Sequence, residues 1–142
     1  MSKHILVPLD GSPQAEEAFE YVLQEYDGIT VTLLHVIDPI EAGYSAQATV
    51  PGYSEEWYEQ SKEEAESLFD QAREKSQDTD IELQTEIELG RPARSILDYV
   101  EDNDIDQIVM GSHGRSRVTR ILLGSVAEKV ARRSPVPVTI VR

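Results

Sequence analysis

The sequence predicts an α/β fold organised on a mainly parallel sheet, with helices on both faces. Two observations lead there. Apolar, β-branched runs alternate with stretches of helical periodicity, giving the order β-α-β-α-β-α-β-α-β over 142 residues. Four of the five runs are apolar almost throughout, as strands buried on both faces are, and one alternates. A chain of this length is expected to form one domain, residues 1–142, around a core of real size.

The first strand, Ile5-Leu6-Val7-Pro8-Leu9, stops at Asp10-Gly11-Ser12-Pro13, where Ser12 can cap a helix and Pro13 can open it. Ala15, Ala18, Phe19, Val22, Leu23 and Tyr26 recur at helical spacing until Asp27-Gly28 ends the helix. The second strand runs from Ile29 to Ile37 and stops at Asp38-Pro39. Residues 39–54 hold Gly43, Pro51 and Gly52 without periodicity and read as a loop or lid. A long amphipathic helix follows from about Ser54 to Lys75, with Trp57, Tyr58, Ala65, Leu68, Phe69 and Ala72 on one side. Trp57 and Tyr58 read as packing that helix onto the sheet, with stacking on a base as the alternative. Ile81, Leu83, Thr85, Ile87 and Leu89 alternate with Glu82, Gln84, Glu86 and Glu88, the pattern of a half-exposed strand near a sheet edge.

Gly90-Arg91-Pro92 turns into a helix whose inner residues are Ala93, Ile96, Leu97 and Val100, and Ile105 to Met110 forms the fourth strand. A short helical segment with Val118, Ile121 and Leu122 leads to Gly124. Ser125-Val126-Ala127-Glu128 matches a capping box opening the last helix, which ends near Ser134-Pro135. Val136 to Val141 is the final strand. Asp10, Asp38 and Gly111 thus fall at strand carboxyl ends, the rim where open α/β sheets bind ligands.

Charge separates along the chain. The total is −14, with 26 acidic and 6 basic residues in 1–110 but seven basic residues and Glu128 alone in 111–142. The acidic bulk argues against nucleic acid or an anionic membrane as a partner, whereas the basic tail suits an anionic small ligand. Four lysines against nine arginines in so acidic a chain read as adaptation to high salt, with an ordinary acidic cytosolic protein as the alternative. Cysteine is absent, which excludes disulfides and fits a reducing cytoplasm. No apolar run approaches the ~18 residues of a membrane span, and the N-terminal run breaks at Pro8 and Asp10, unlike a signal peptide.

Gly111-Ser112-His113-Gly114 opens directly from the fourth strand, and Gly124-Ser125 follows nine residues later at the start of a helix. A glycine-rich turn exposes backbone N–H groups, and a helix N-terminus adds free N–H groups and a positive dipole end. On spacing alone, a polyphosphate cradle and a set of ligand-free turns and caps both remain open. Arg115, Arg117 and Arg120 are either phosphate attractors or a solvated face, and His113 is a phosphate donor or an exposed loop residue. His4 and His35 lie on separate strands without metal-ligand spacing.

This Gly-x-x-Gly, nine residues, Gly-Ser pattern is similar to the ATP-binding signature of the universal stress protein family. The resemblance extends to Val7-Pro8-Leu9-Asp10-Gly11-Ser12, to Leu34-His35-Val36 and to Ser134-Pro135-Val136-Pro137-Val138, and so covers the chain in order. Leu9, where the family often carries Val or Ile, is a mild departure. The resemblance implies a Rossmann-like five-stranded parallel sheet of order 3-2-1-4-5, with ATP or AMP at the carboxyl ends of strands one and four. It also implies homodimers paired antiparallel through the last strand, Val136 to Val141, and a regulatory role in stress survival.

Carried over by residue, the backbone around Pro8, Leu9 and Val36 meets the adenine. Asp10 lies near the ribose or phosphates, or helps hold Mg²⁺. Met110, Gly111, His113 and Gly114 wrap the ribose and phosphates, and Gly124, Ser125 and Val126 present N–H and hydroxyl donors. Neither a P-loop lysine motif nor a nucleophile elbow is present, so a nucleotide-responsive regulator with at most weak ATPase activity is expected. The alternatives are a slow ATP-hydrolysing or adenylating enzyme on the same fold, and a dimeric interaction module that binds no nucleotide.

Overall fold

The structure is a computed structural model that describes residues 3–40, 55–112 and 123–142. Strands and helices alternate as β1 (His4–Pro8), α1 (Pro13–Glu25), β2 (Thr30–Ile37), α2 (Glu55–Ser76), β3 (Glu82–Leu89), α3 (Pro92–Asp102), β4 (Gln107–Gly111), α4 (Ser125–Arg133) and β5 (Val138–Val141). The five strands form one all-parallel sheet of order β3-β2-β1-β4-β5. The loop over 41–54, the segment with Val118, Ile121 and Leu122, the cluster Arg115, Arg117 and Arg120, and both His113 and Gly114 lie outside the described residues.

Because successive side chains of a strand point to opposite faces, the central strands feed two cores. Ile5, Val7, Leu33 and Val109 pack against Phe19 and Val22 of α1 and Ala65, Phe69 and Ala72 of α2. Leu6, Leu34, Ile108 and Met110 pack against Ile96 and Val100 of α3 and Ala127 and Val130 of α4. That double burial explains why β1, β2 and β4 read as mostly apolar runs. Phe69 is fully buried, so its truncation to alanine is worth about 3–5 kcal/mol.

β3 has a helix over one face only. Leu83 and Ile87 join the α1–α2 core, and Arg73 of α2 donates through Nη2 to Thr85 Oγ1. Glu82, Gln84, Glu86 and Glu88 are exposed on the other face, and these charges blunt an edge otherwise open to strand pairing.

Several boundaries differ from the sequence reading by a residue or two, and three of the differences have a visible cause. The fourth strand begins at Gln107 rather than Ile105, because Asp106 brackets the start of β1: its N–H donates to the His4 carbonyl and its Oδ2 accepts from the His4 N–H. The last strand begins at Val138, since Ser134 Oγ closes a turn onto both backbone groups of Val136. No capping box opens α4. Its N-cap is Gly124, and Glu128 instead accepts from Arg132 Nη2 at 2.7 Å, one turn along. Ser125 is therefore the first helical residue, one position too late to cap.

Candidate functional site

The carboxyl end of β1 is where the sheet divides, and Pro8 drives the division. Even residues of β4 serve β5, since Ile108 and Ser112 donate their N–H groups to Pro137 and Val141. The odd residues of β4 are left to pair with β1, whose pairing with β4 ends at Leu6↔Ile108. The β1 residue due to donate next is Pro8, which has no N–H. Towards β2 the donors are odd residues, so that ladder continues to Pro8↔Leu34 and closes with Leu9 N–H on the Leu34 carbonyl at 2.9 Å. Val36, two residues further, directs its backbone groups to a side where β1 has already ended.

The chain leaving β1 is fixed by short-range polar contacts. Asp10 Oδ1 accepts the Ser12 N–H at 2.9 Å, forming an Asx turn that passes through Gly11 at φ 86°. Ser12 Oγ then accepts the Ala15 N–H at 3.1 Å and caps α1. Gly111, the last residue of β4, answers a close approach. A Cβ there would lie 2.7–2.8 Å from Gln14, so glycine lets β4 pass against the first turn of α1.

Ser112 and Gly124 bracket the glycine segment. The Gly124 N–H donates to the Ser112 carbonyl at 2.7 Å and ties the two ends of the segment together. That N–H is thus spent, and the donors that α4 turns outward begin at Ser125 and Val126. The Leu9 backbone is similarly engaged: its N–H serves Leu34, and its carbonyl accepts from His35 Nδ1 at 2.7 Å. Leu9 therefore offers a ligand apolar surface more than hydrogen bonds, and the backbone groups directed at the gap are those of Val36.

These parts surround one cavity of about 630 Å³. Pro8, Leu9, Asp10, Val36, Met110, Gly111, Gly124, Ser125 and Val126 all line it, and they come from β1, β2, β4 and the start of α4. His113 and Gly114 are outside the described residues. The sequence reading missed Ser61 and Glu64 of α2 and Arg91 at the start of α3 as part of this wall, and kept Trp57 for the cleft only as an alternative. Packing on the sheet is the leading sequence reading of Trp57 and base stacking its alternative, and the residue lines the cleft. Periodicity could not separate it from the core positions, since it lies two turns ahead of the buried Ala65 on the same helical face.

Asp38, the residue after β2, is the buried charge of the wall. Its side chain is 6% exposed, with Oδ1 accepting the Ile40 N–H at 3.0 Å and Oδ2 lying 3.3 Å from Arg91 Nη1. Among the described lining residues Arg91 is the one cation, against Asp10, Asp38 and Glu64. No cluster of three or more His, Cys, Asp or Glu side chains that could hold a metal occurs among the described residues. A divalent ion takes about six oxygen ligands, more than one carboxylate supplies.

The architecture is that of the doubly wound α/β proteins, with a ligand-sized cleft at the strand-order switch point. The sequence model of the universal stress protein family matches residues 1–142, and the chain belongs to that family. It is 35% identical over 155 residues to universal stress protein MJ0577 of Methanocaldococcus jannaschii, covering 100% of this chain and 96% of that protein. The solved MJ0577 structure superposes with a TM-score of 0.85, covering 99% of this chain and 96% of that one. Universal stress protein UspA of Lactobacillus plantarum superposes equally, at 0.85 with 30% identity and 99% and 97% coverage. A family protein of Arabidopsis thaliana solved with AMP bound shares the fold at a TM-score of 0.67 and 20% identity, over 98% and 90% of the two chains. No helix among the described residues is long and apolar enough to cross a membrane.

Proposed function

We propose that this chain is an adenine-nucleotide-binding universal stress protein that acts as a homodimeric, nucleotide-responsive regulator of stress survival in the cytoplasm. One observation carries the proposal: nine residues nominated for a nucleotide from sequence line a single cleft at the switch point. Its volume falls within the roughly 300–1,000 Å³ of small-ligand sites. Adenine takes the end beside β2, where the Val36 N–H and carbonyl supply the donor and acceptor that a base edge needs. Asp10 accepts from a ribose hydroxyl or joins the phosphates in holding Mg²⁺. The phosphates of ATP, or the single phosphate of AMP, meet the N–H groups of Ser125 and Val126, the Ser125 hydroxyl and the α4 dipole.

The open edge of β5 supports the dimer. This strand is a sheet edge with the partly buried Val138, Thr139, Ile140 and Val141, and pairing with its own copy about a two-fold axis covers that edge. The acid-rich composition supports adaptation to high salt, which predicts a melting temperature that rises with molar KCl.

Calorimetry with ATP, AMP and ADP, each with and without Mg²⁺, tests the proposal. Binding of adenine nucleotides without multiple turnover is the expected result. No heat with any of them at millimolar concentration would sink it, and steady release of phosphate or AMP would replace the regulator by an enzyme.

A further inference from the structure

We propose that Trp57 is the stacking wall of the base end of the cleft, a positioning residue for the heterocycle of the bound nucleotide. This deepens the nucleotide-binding proposal and rests on it. In a parallel sheet the helix between β2 and β3 runs back against the strands, so α2 begins at their carboxyl ends. α2 spans 22 residues and β2 eight, about 33 Å against about 26 Å, so its first turns overhang the strand ends. α2 packs over β2 and β3, on the side of the sheet away from β4 and α4.

The overhang is visible along one helical face. Ala65, Phe69 and Ala72 are buried on the sheet. Trp57, Ser61 and Glu64 continue the same face toward the N-terminus, at i, i+4 and i+7, yet line the cleft. An indole half-buried in the mouth of a ligand cavity offers a flat apolar face that stacks on any heterocycle. Charge sets which end of a nucleotide meets it. Glu64 shares the face of Trp57, and Arg91 is tied to Asp38, so this end repels phosphates. The α4 N-terminus, beyond β4, attracts them. A nucleotide laid with its phosphates on α4 brings its base to β2 and under α2.

Trp57 is the only tryptophan of the chain, so its emission reports the stack directly. The test titrates the full chain with ATP and with inorganic tripolyphosphate, following fluorescence and calorimetry together. ATP is expected to change Trp57 emission with the calorimetric Kd, and tripolyphosphate to leave it unaltered. Trp57→Ala should weaken ATP binding by about 5- to 150-fold, with Trp57→Phe remaining within about threefold of the parent. ATP binding by calorimetry with unchanged emission, an equal change with tripolyphosphate, or unaltered affinity in Trp57→Ala each overturns the stack while leaving nucleotide binding in place. Absence of any ATP heat overturns both. Should Trp57→Ala fail to fold, the emission of the parent protein decides.

Discussion

A Cβ placed on Gly111 would come within 2.7 Å of the Gln14 carbonyl carbon and 2.8 Å of its oxygen. Gly111 ends β4 and Gln14 lies in the first turn of α1, so this contact sets how closely the Asp10–Ser12 turn approaches the glycine segment. Backbone atoms cannot swing away as a flexible side chain would. Gly111→Ala is therefore expected to lower stability by about 1–3 kcal/mol through overpacking. Urea denaturation measures this, and a variant as stable as the parent would show that α1 and β4 can separate freely.

Gly124 should respond differently. Its φ of −65° and ψ of 160° are open to any residue, so Gly124→Val is expected to keep the fold at a cost of about 1 kcal/mol for the poorer N-cap. The branched side chain enters the approach to the α4 N-terminus, and ATP affinity should fall at least about tenfold. Wild-type affinity in that variant would move the phosphate site elsewhere.

The Asp38–Arg91 pair is asymmetric. Asp38 is buried and serves both the Ile40 N–H and Arg91, whereas the Arg91 side chain is 57% exposed. Asp38→Ala is expected to cost about 1–3 kcal/mol by stranding a turn N–H. Arg91→Ala should cost less, about 1 kcal/mol or below, because water screens its charge. A double-mutant cycle by denaturation reads both, and a larger loss for Arg91 would reverse the assignment of anchor and anchored.

In β5 the odd residues bond β4, as the Pro137 and Val141 carbonyls do. Val138 and Ile140 therefore turn their backbone groups to the open edge. Ile140→Pro removes an outward N–H while sparing the ladder to β4. Light scattering is expected to give the mass of two chains for the parent and of one for the variant. A parent that is monomeric at micromolar concentration in molar salt contradicts pairing through this strand.

Tyr99 of α3 supplies a pH signature. Partial burial raises its hydroxyl above the ordinary tyrosine value, Thr32 opposes this through a hydrogen bond, and Glu86 and Glu88 add to the rise. The folded state then holds a proton that the unfolded chain has released. This contribution is intact below about pH 10 and is lost as pH climbs through the folded value. Tyr99→Phe should show a shallower loss of stability between pH 9 and 11, measured by urea midpoints. Parallel profiles for the two proteins would contradict it.

The sequence by itself determined the element order, the apolar central strands, the acidic exposed face of β3 and nine of the residues around the cleft. These are local or periodic properties: alternation, cap chemistry and glycine spacing are written along the chain. Only the tertiary structure decided how those residues are used. Gly111 needs no side chain because of Gln14, nearly a hundred positions away in sequence, and the N–H groups of Leu9 and Gly124 are taken by Leu34 and Ser112. Trp57 and Ala65 share one amphipathic stripe, and periodicity treats them alike. Their fates diverge because α2 is longer than the sheet beneath it, which leaves Ala65 over the strands and Trp57 over the cleft.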